Sequence, residues 1–170
     1  MCALVAGSAN AQSTKIELSA DVNRTSCELV DQGGFFTIYV FQTGSFQSTA
    51  VRFKAAKPAC WLGATWVGDS STYVSLGNSQ TDWSVAYGAC KTLPVLVGQI
   101  NYQAAGASLP CCEAVVTAPP IEFVYTDCSF AEHPLVPGQK VVINPDQSCP
   151  CNLPLATEQS TWGRVKSLYR

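Results

Sequence analysis

The nine cysteines of this 170-residue chain constrain its fold more than any other feature. The C-x2-C spacing of zinc sites occurs nowhere, and His133 is the only histidine, so a Cys2His2 zinc site is excluded. A cysteine content this high is typical of proteins that fold in an oxidising compartment. Eight of the nine are therefore predicted to form disulfides: Cys27, Cys60, Cys90, Cys111, Cys112, Cys128, Cys149 and Cys151.

The spacing of these cysteines restricts the pairs that they can form. Disulfides within Cys111-Cys112 or within Cys149-Pro150-Cys151 would be strained, so each of these four thiols is predicted to bridge to a distant part of the fold. Cys27 and Cys60 flank the first predicted strands, and we expect them to pair. The remaining six would then form a denser knot in the C-terminal half.

Residues 1–11 (MCALVAGSANA) resemble the end of an export signal. They form a small apolar run that ends in Ala9-Asn10-Ala11, the A-x-A pattern of a cleavage site before Gln12. Cleavage there would remove Cys2 and leave an even number of cysteines. The alternative is that residues 1–11 are a disordered N-terminus of the mature chain. Together with the cysteine content, the export signal predicts a secreted protein, either extracellular or at the cell surface. No other stretch approaches the roughly 18 apolar residues of a membrane span.

Period-two alternation of apolar and polar residues predicts β-strands along most of the chain. Residues 35–41 (FFTIYVF) are apolar on both faces, which indicates a central strand that is covered on both sides or has an aromatic outer face. The predicted strands lie in residues 16–22, 35–41, 51–55, 83–87, 96–102, 121–125 and 141–143. Turn-forming residues separate these runs, at 31–34, 68–71, 77–79, 106–108, 119–120 and 137–138.

This pattern favours an all-β fold, an antiparallel β-sandwich of the Ig-like or cohesin-like kind, which spans residues 12–148 and carries several disulfides. Residues 149–170 would follow as a Cys/Pro-rich segment and a short basic, aromatic tail. The residues of this possible interaction tail are Trp162, Arg164, Val165, Lys166, Leu168 and Tyr169.

The tail has a regular pattern of its own. Trp162, Val165 and Leu168 recur every three residues, as on one face of a short helix. Arg164, Lys166 and Arg170 are three of the ten basic residues, which leaves seven basic residues against twelve acidic ones in the remainder. A basic aromatic tail on an acidic body is suited to docking on that body or on a neighbour. The alternative is a frayed, solvated terminus.

No catalytic residue is predicted, because every candidate motif has a simpler explanation. Gly68-Asp69-Ser70 is similar to the G-D-S triplet of GDSL-type serine hydrolases, but a turn explains it equally well. The D-x-x-H pattern is absent, since Asp127 and His133 are six residues apart, and no G-x-S-x-G elbow exists. A secreted hydrolase is therefore the least favoured function.

Two kinds of ligand remain open. Trp61 and Trp66, around a predicted turn beside Cys60, are candidates for stacking on a sugar, whereas Trp83 lies in an alternating strand and is expected to fill the core. No metal or cofactor motif is present; a calcium site built from loop oxygens is conceivable without one, from Asp69, Asn78, Asp82, Asn144 and Asp146. The net charge of −2 argues against a nucleic-acid partner.

Two further resemblances concern one strand and the mature chain as a whole. The late apolar strand LVGQINYQ (residues 96–103) is similar to a strand of cohesin-like β-sandwiches, which implies a sandwich fold. The mature chain, including NPDQSCPC (144–151) and TWGRVKSLYR (161–170), resembles a group of uncharacterised secreted cysteine-rich proteins from uncultivated bacteria. That group implies neither an activity nor site residues.

The function predicted from the sequence is a non-enzymatic extracellular structural or surface-interaction module. Its partner would be a second copy of itself or a component of the cell surface. An exposed sheet edge pairs readily with another chain, so we expect self-assembly into a filament or surface layer through strand edges, such as residues 15–23, or through the tail. A carbohydrate-binding module is the first alternative.

Overall fold

The computed structural model describes residues 13–120 and 122–151 of the chain. These residues form strands and loops, and this part contains no helix that is long and apolar enough to cross a membrane. Numbered in chain order, the strands are β1 (Lys15–Ser19), β2 (Glu28–Leu29), β3 (Gly34–Thr43), β4 (Gln47–Phe53), β5 (Thr65–Ser70), β6 (Val74–Asn78), β7 (Asp82–Thr92), β8 (Val95–Ala104), β9 (Cys112–Ala114), β10 (Val124–Thr126), β11 (Glu132–Pro134), β12 (Val136–Pro137) and β13 (Val141–Ile143).

The strands form two five-stranded sheets, which enclose the core, and a small third sheet. The first sheet has the order β12-β1-β3-β8-β5, the second β11-β10-β4-β7-β6 and the third β2-β13-β9. All pairs are antiparallel except β1 with β12 and β2 with β13, which are parallel. The predicted all-β sandwich is confirmed, with these two parallel pairs as an addition.

Strand β3 is central in the first sheet, between β1 and β8. Ile38 and Val40 point into the core and are buried, whereas Phe35 on the opposite face is 77% exposed. Phe41 is covered by the guanidinium of Arg24, whose central carbon lies 5.5 Å from the ring centroid. Of the two possibilities for this apolar run, the structure therefore shows the strand with an aromatic outer face.

Aromatic side chains fill much of the space between the two large sheets. The rings of Trp61 and Tyr102 lie 4.7 Å apart, and those of Trp83 and Phe53 lie 5.4 Å apart, measured between centroids. Gly98 on β8 makes room for Trp83, because a Cβ at this position would lie 2.7 Å from an atom of the indole ring. The prediction that Trp83 fills the core is confirmed.

Two strands occupy segments that the sequence predicts as turns. Strand β5 includes Gly68-Asp69-Ser70, and β6 includes Gly77-Asn78. Residues 71–73 connect β5 in the first sheet to β6 in the second, and Ser71 Oγ donates a hydrogen bond to the Val97 carbonyl over 2.6 Å. The β6–β7 hairpin turns at residues 79–81, so the turn predicted at 77–79 is shifted along the chain. Pairing of β5 with β8, with an irregularity between Trp66 and Gly68, overrides the local turn preference.

The structure pairs all eight cysteines, but not in the expected order. The bonds are Cys27–Cys151, Cys60–Cys112, Cys90–Cys128 and Cys111–Cys149, with Cα–Cα distances of 5.6, 5.4, 5.4 and 5.7 Å. The expected Cys27–Cys60 bond and the separate C-terminal knot are wrong. The reason is the sheet order, because β2 and β13 are neighbours and bring Cys27 beside the chain that follows β13. Neither close pair bonds internally, as predicted.

A buried carboxylate organises the loops at one end of the sandwich. Asp31 is 6% exposed and accepts four hydrogen bonds. The donors are the Trp61 indole Nε1 at 3.0 Å and the backbone amides of Gly33 at 3.1 Å and of Gly106 and Ser108 at 3.2 Å. Three separate segments are thus held together by one side chain.

Candidate interaction face

A shallow groove with a volume of about 230 Å³ crosses the outer face of the second sheet. Its floor is formed by small side chains of β4 and β7, since the register places Ala50 opposite Ala86. On one side the groove is bounded by Val74 and Leu76 of the edge strand β6. On the other side it is bounded by β10, including Val124. We call this surface the outer groove.

The apolar wall of the outer groove is largely exposed. Val74 and Leu76 are each 72% exposed. They are two residues apart on β6, so their side chains share one face of the sheet. Isolated exposed apolar residues are common, but neighbouring ones that line a groove are typical of interaction sites. The outer groove is therefore the candidate interaction site of the described residues.

The charges around the outer groove are mainly negative. Arg52 on β4 forms an ion pair with Asp82 at the start of β7 and donates hydrogen bonds to its carboxylate. These hydrogen bonds lower the pKa of the Asp82 carboxyl. The same hydrogen bonds are the largest cause of a raised pKa of Arg52, to which Glu122 and Glu132 on the β10 side also contribute. One basic residue therefore faces three acidic ones, which favours a partner with basic residues.

The predicted sugar-stacking platform does not form. Trp61 is fully buried, packs in the core and donates its indole N–H to Asp31, so its role as a ligand-stacking residue is wrong. The sequence placed it at a turn, but its ring points inward. Trp66 is half-buried, packs against the core and donates to Asp69 Oδ1 over 3.0 Å. The two indoles therefore do not present adjacent faces to solvent.

The residues of the hydrolase alternative lie apart. Ser70 is in β5 of the first sheet, whereas His133 is in β11 of the second. His133 Nε2 lies 2.7 Å from Asp127 Oδ2, and this hydrogen bond is the main reason why the pKa of Asp127 is far below its usual range. Ser129 Oγ also binds Asp127 rather than the imidazole, so the described contacts place no hydroxyl on the histidine.

The oxygens proposed for calcium take part in internal contacts in two regions, with Asp69, Asn78 and Asp82 around the β6–β7 hairpin and Asn144 and Asp146 after β13. Each of these side chains accepts a hydrogen bond: Asp69 from Ser79, Asn78 from Thr81, Asp82 from Arg52, Asn144 from the Asp31 amide and Asp146 from Ser148. The one cluster of metal-ligand type in residues 13–120 and 122–151 is Cys111, Asp146 and Cys149, in which the two cysteines are bonded to each other. Calcium binding stays a prediction.

Two predicted regions lie outside the described residues. These are the export-signal remnant, residues 1–11, and the interaction tail, Trp162, Arg164, Val165, Lys166, Leu168 and Tyr169. The outer groove was not predicted from the sequence. The alternation Val74-Ser75-Leu76 was a signal for its wall, but the neighbouring Gly77-Asn78-Ser79 was interpreted as a turn.

Comparison with known proteins gives a likeness at the level of the fold. No protein-family model matches the sequence, and no curated protein matches it. A cohesin module of a family 33 glycoside hydrolase from Clostridium perfringens is similar in structure, with a TM-score of 0.56, 9% identity, and coverage of 79% of this chain and 99% of that module.

The third cohesin ScaC from Acetivibrio cellulolyticus, solved in complex with the ScaB dockerin, has a TM-score of 0.51 and 9% identity. The match covers 76% of this chain and 98% of that one. Identities this low show the fold alone. The chain is therefore a disulfide-bonded, cohesin-like β-sandwich.

Proposed function

We propose that this protein is a non-catalytic extracellular module that binds another polypeptide in the outer groove. The observation that carries the proposal is the pair of exposed apolar side chains, Val74 and Leu76, beside a floor of small residues. The similar ScaC cohesin binds a dockerin, which supports polypeptide recognition on this fold. The four disulfides support an extracellular or cell-surface location.

The dimensions of the outer groove favour a helical partner. Its walls on β6 and β10 are separated by the two floor strands β7 and β4, which makes three strand spacings of about 4.8 Å and a width of roughly 14 Å. An α-helix with its side chains is about 10–12 Å across. The acidic side chains around the groove favour Lys and Arg beside the apolar stripe of that helix.

Replacing Leu76 with aspartate should weaken helix binding at least about tenfold, because the substitution removes an apolar contact and adds a negative charge to an acidic surface. A displayed library of helices with an apolar stripe flanked by Lys and Arg would be selected on the immobilised oxidised chain. Enrichment would then be compared between the parent chain and Leu76→Asp.

The matched control for this selection is Val67→Asp, because Val67 is also an exposed apolar residue but lies on β5 in the first sheet. It should retain the binding of the parent chain. If the same helices are enriched equally on the parent chain and on Leu76→Asp, the outer groove is not the binding surface and the proposal fails.

Self-association is a second candidate, favoured by the edge position of β6. Among residues 13–120 and 122–151, this five-residue strand pairs with β7 alone, which favours pairing of its outer edge with another copy. We expect oligomers in analytical ultracentrifugation at high protein concentration. Val74→Lys should shift them towards monomer, because lysine on an edge strand opposes pairing. A monomer at every concentration would exclude self-association and leave helix binding untouched.

A further inference from the structure

We propose that residues 161–170 of the same chain occupy the outer groove. The inference rests on the proposed function, since it takes the groove to be a surface that binds a polypeptide. It adds the identity of one occupant, a segment that belongs to the protein itself. Three independent features support it: the apolar pattern of the segment, its charge and the reach of the chain that precedes it.

The apolar pattern of the segment matches the groove. On a helix, Trp162, Val165 and Leu168 would share one face, because they recur every three residues. Such a stripe is complementary to the wall of Val74 and Leu76. The floor of small side chains leaves space for a large ring such as an indole. Burial of both apolar surfaces would provide the main driving force.

The charge of the segment is opposite to that of the groove. Residues 161–170 contain three basic residues and no acidic one. The groove presents Glu122 and Glu132, which make no ion pair in the described part of the chain, and its own Arg52 is engaged by Asp82. A basic segment would therefore compensate two acidic side chains without displacing an existing ion pair.

The length of the connection is of the same order as the size of the body, which is compatible with docking within one molecule. Cys151 is fixed to the body by its bond to Cys27. From there, residues 152–160 can span at most about 30 Å when extended, and a body of this size has a radius of gyration of roughly 14 Å. A tethered segment has an effective concentration of about 1 mM. The same chain therefore competes strongly against a second copy at ordinary protein concentrations.

Tryptic cleavage after Arg164 and Lys166 in the full-length oxidised chain tests this inference. With an effective concentration of about 1 mM and a Kd of about 0.1 mM, the segment would be docked about nine-tenths of the time. Cleavage in the parent chain should then be about tenfold slower than in Leu76→Asp, as followed by mass spectrometry. Cleavage should also accelerate in Glu122→Gln/Glu132→Gln, because the charge compensation is lost.

Two control variants address other causes of faster cleavage. Val67→Asp and Glu28→Gln change exposed residues outside the groove and should cleave at the parent rate. A thermal melt of each variant verifies that the body remains folded. Equal rates in the parent chain and Leu76→Asp would overturn the inference. Protection that increases with protein concentration would also overturn it, and would assign the segment of a second copy to the groove.

A tail variant separates this inference from the proposed function. Trp162→Ala/Leu168→Ala should free the groove, so the displayed helices should bind this variant about tenfold more tightly than the parent chain. Equal binding to both would overturn the tail assignment and leave the helix-binding function standing. A lack of binding even to the tail variant would contradict the proposed function.

Discussion

Replacing Asp31 with alanine is expected to lower the free energy of unfolding by about 3–5 kcal/mol. The carboxylate is buried and accepts hydrogen bonds from the Trp61 indole and from the amides of Gly33, Gly106 and Ser108. Alanine would leave these donors without their acceptor. The Trp61 indole N–H is buried, and an unsatisfied buried donor costs about 1–3 kcal/mol, whereas each of the three part-buried amides costs less because water reaches it. Water that enters the space would hydrogen-bond some of these donors, so the loss of stability is smaller than the sum of the separate costs.

The measurement is urea unfolding of the oxidised protein, followed by circular dichroism and tryptophan fluorescence. Asp31→Asn is the matched control, because it keeps the shape and one acceptor oxygen, and its loss of stability should be smaller. Asp146→Ala is a second control at an exposed carboxylate that bonds only within its own turn. A loss below about 1 kcal/mol in Asp31→Ala would contradict the role of Asp31 as an organising group.

Reduction of the four disulfides is expected to abolish cooperative folding at 37 °C. Each native bond contributes about 2–5 kcal/mol, mainly by restricting the unfolded chain. The total stability of a domain is only about 5–15 kcal/mol. The bond between Cys27 and Cys151 closes the longest loop, with a sequence separation of 124 residues, against 38 for Cys90 and Cys128. Loss of all four bonds therefore lowers the free energy of unfolding by an amount comparable to the total stability of the domain.

Thermal melts of reduced and alkylated protein, compared with protein treated with the alkylating agent alone, test this expectation. Near-UV circular dichroism should be lost only after reduction. The double variant Cys90→Ala/Cys128→Ala, which removes one bond, should stay folded with a lower melting temperature. A cooperative transition in the fully reduced protein near the melting temperature of the oxidised form would show that the core alone stabilises the fold.

Much of the fold follows from the alternation pattern of the sequence. Runs such as 35–41 and 96–102 lie in long central strands that bury one face, and burial on one face is what produces a period of two. The edge strands β5 and β6 were missed, because edge positions bury little and carry Gly, Asn and Ser that locally favour turns. Sheet pairing overrides that preference, and a single sequence does not show the pairing.

The candidate site was less predictable than the fold, for a related reason. Val74 and Leu76 can be recognised as the wall of a groove only when the pairing of β6 with β7 and of β7 with β4 is known. Trp61 illustrates the opposite error, since a tryptophan next to glycine and cysteine is compatible with a surface loop until its partner Asp31 is known. The disulfide pairs likewise depend on the parallel pairing of β2 with β13, a contact between distant parts of the chain.

The two parallel pairs have a consequence for the order in which the fold can form during synthesis. Strand β12 pairs with β1 in the first sheet, and β13 pairs with β2 in the small third sheet. Neither pair can form until residues beyond 135 have been synthesised. Until then, the edges of β1 and β2 stay open and the thiol of Cys27 has no native partner. A chain that emerges from its N-terminus is therefore exposed to mispairing for most of its synthesis. Oxidation that is delayed until the last strands emerge would favour the native set of bonds.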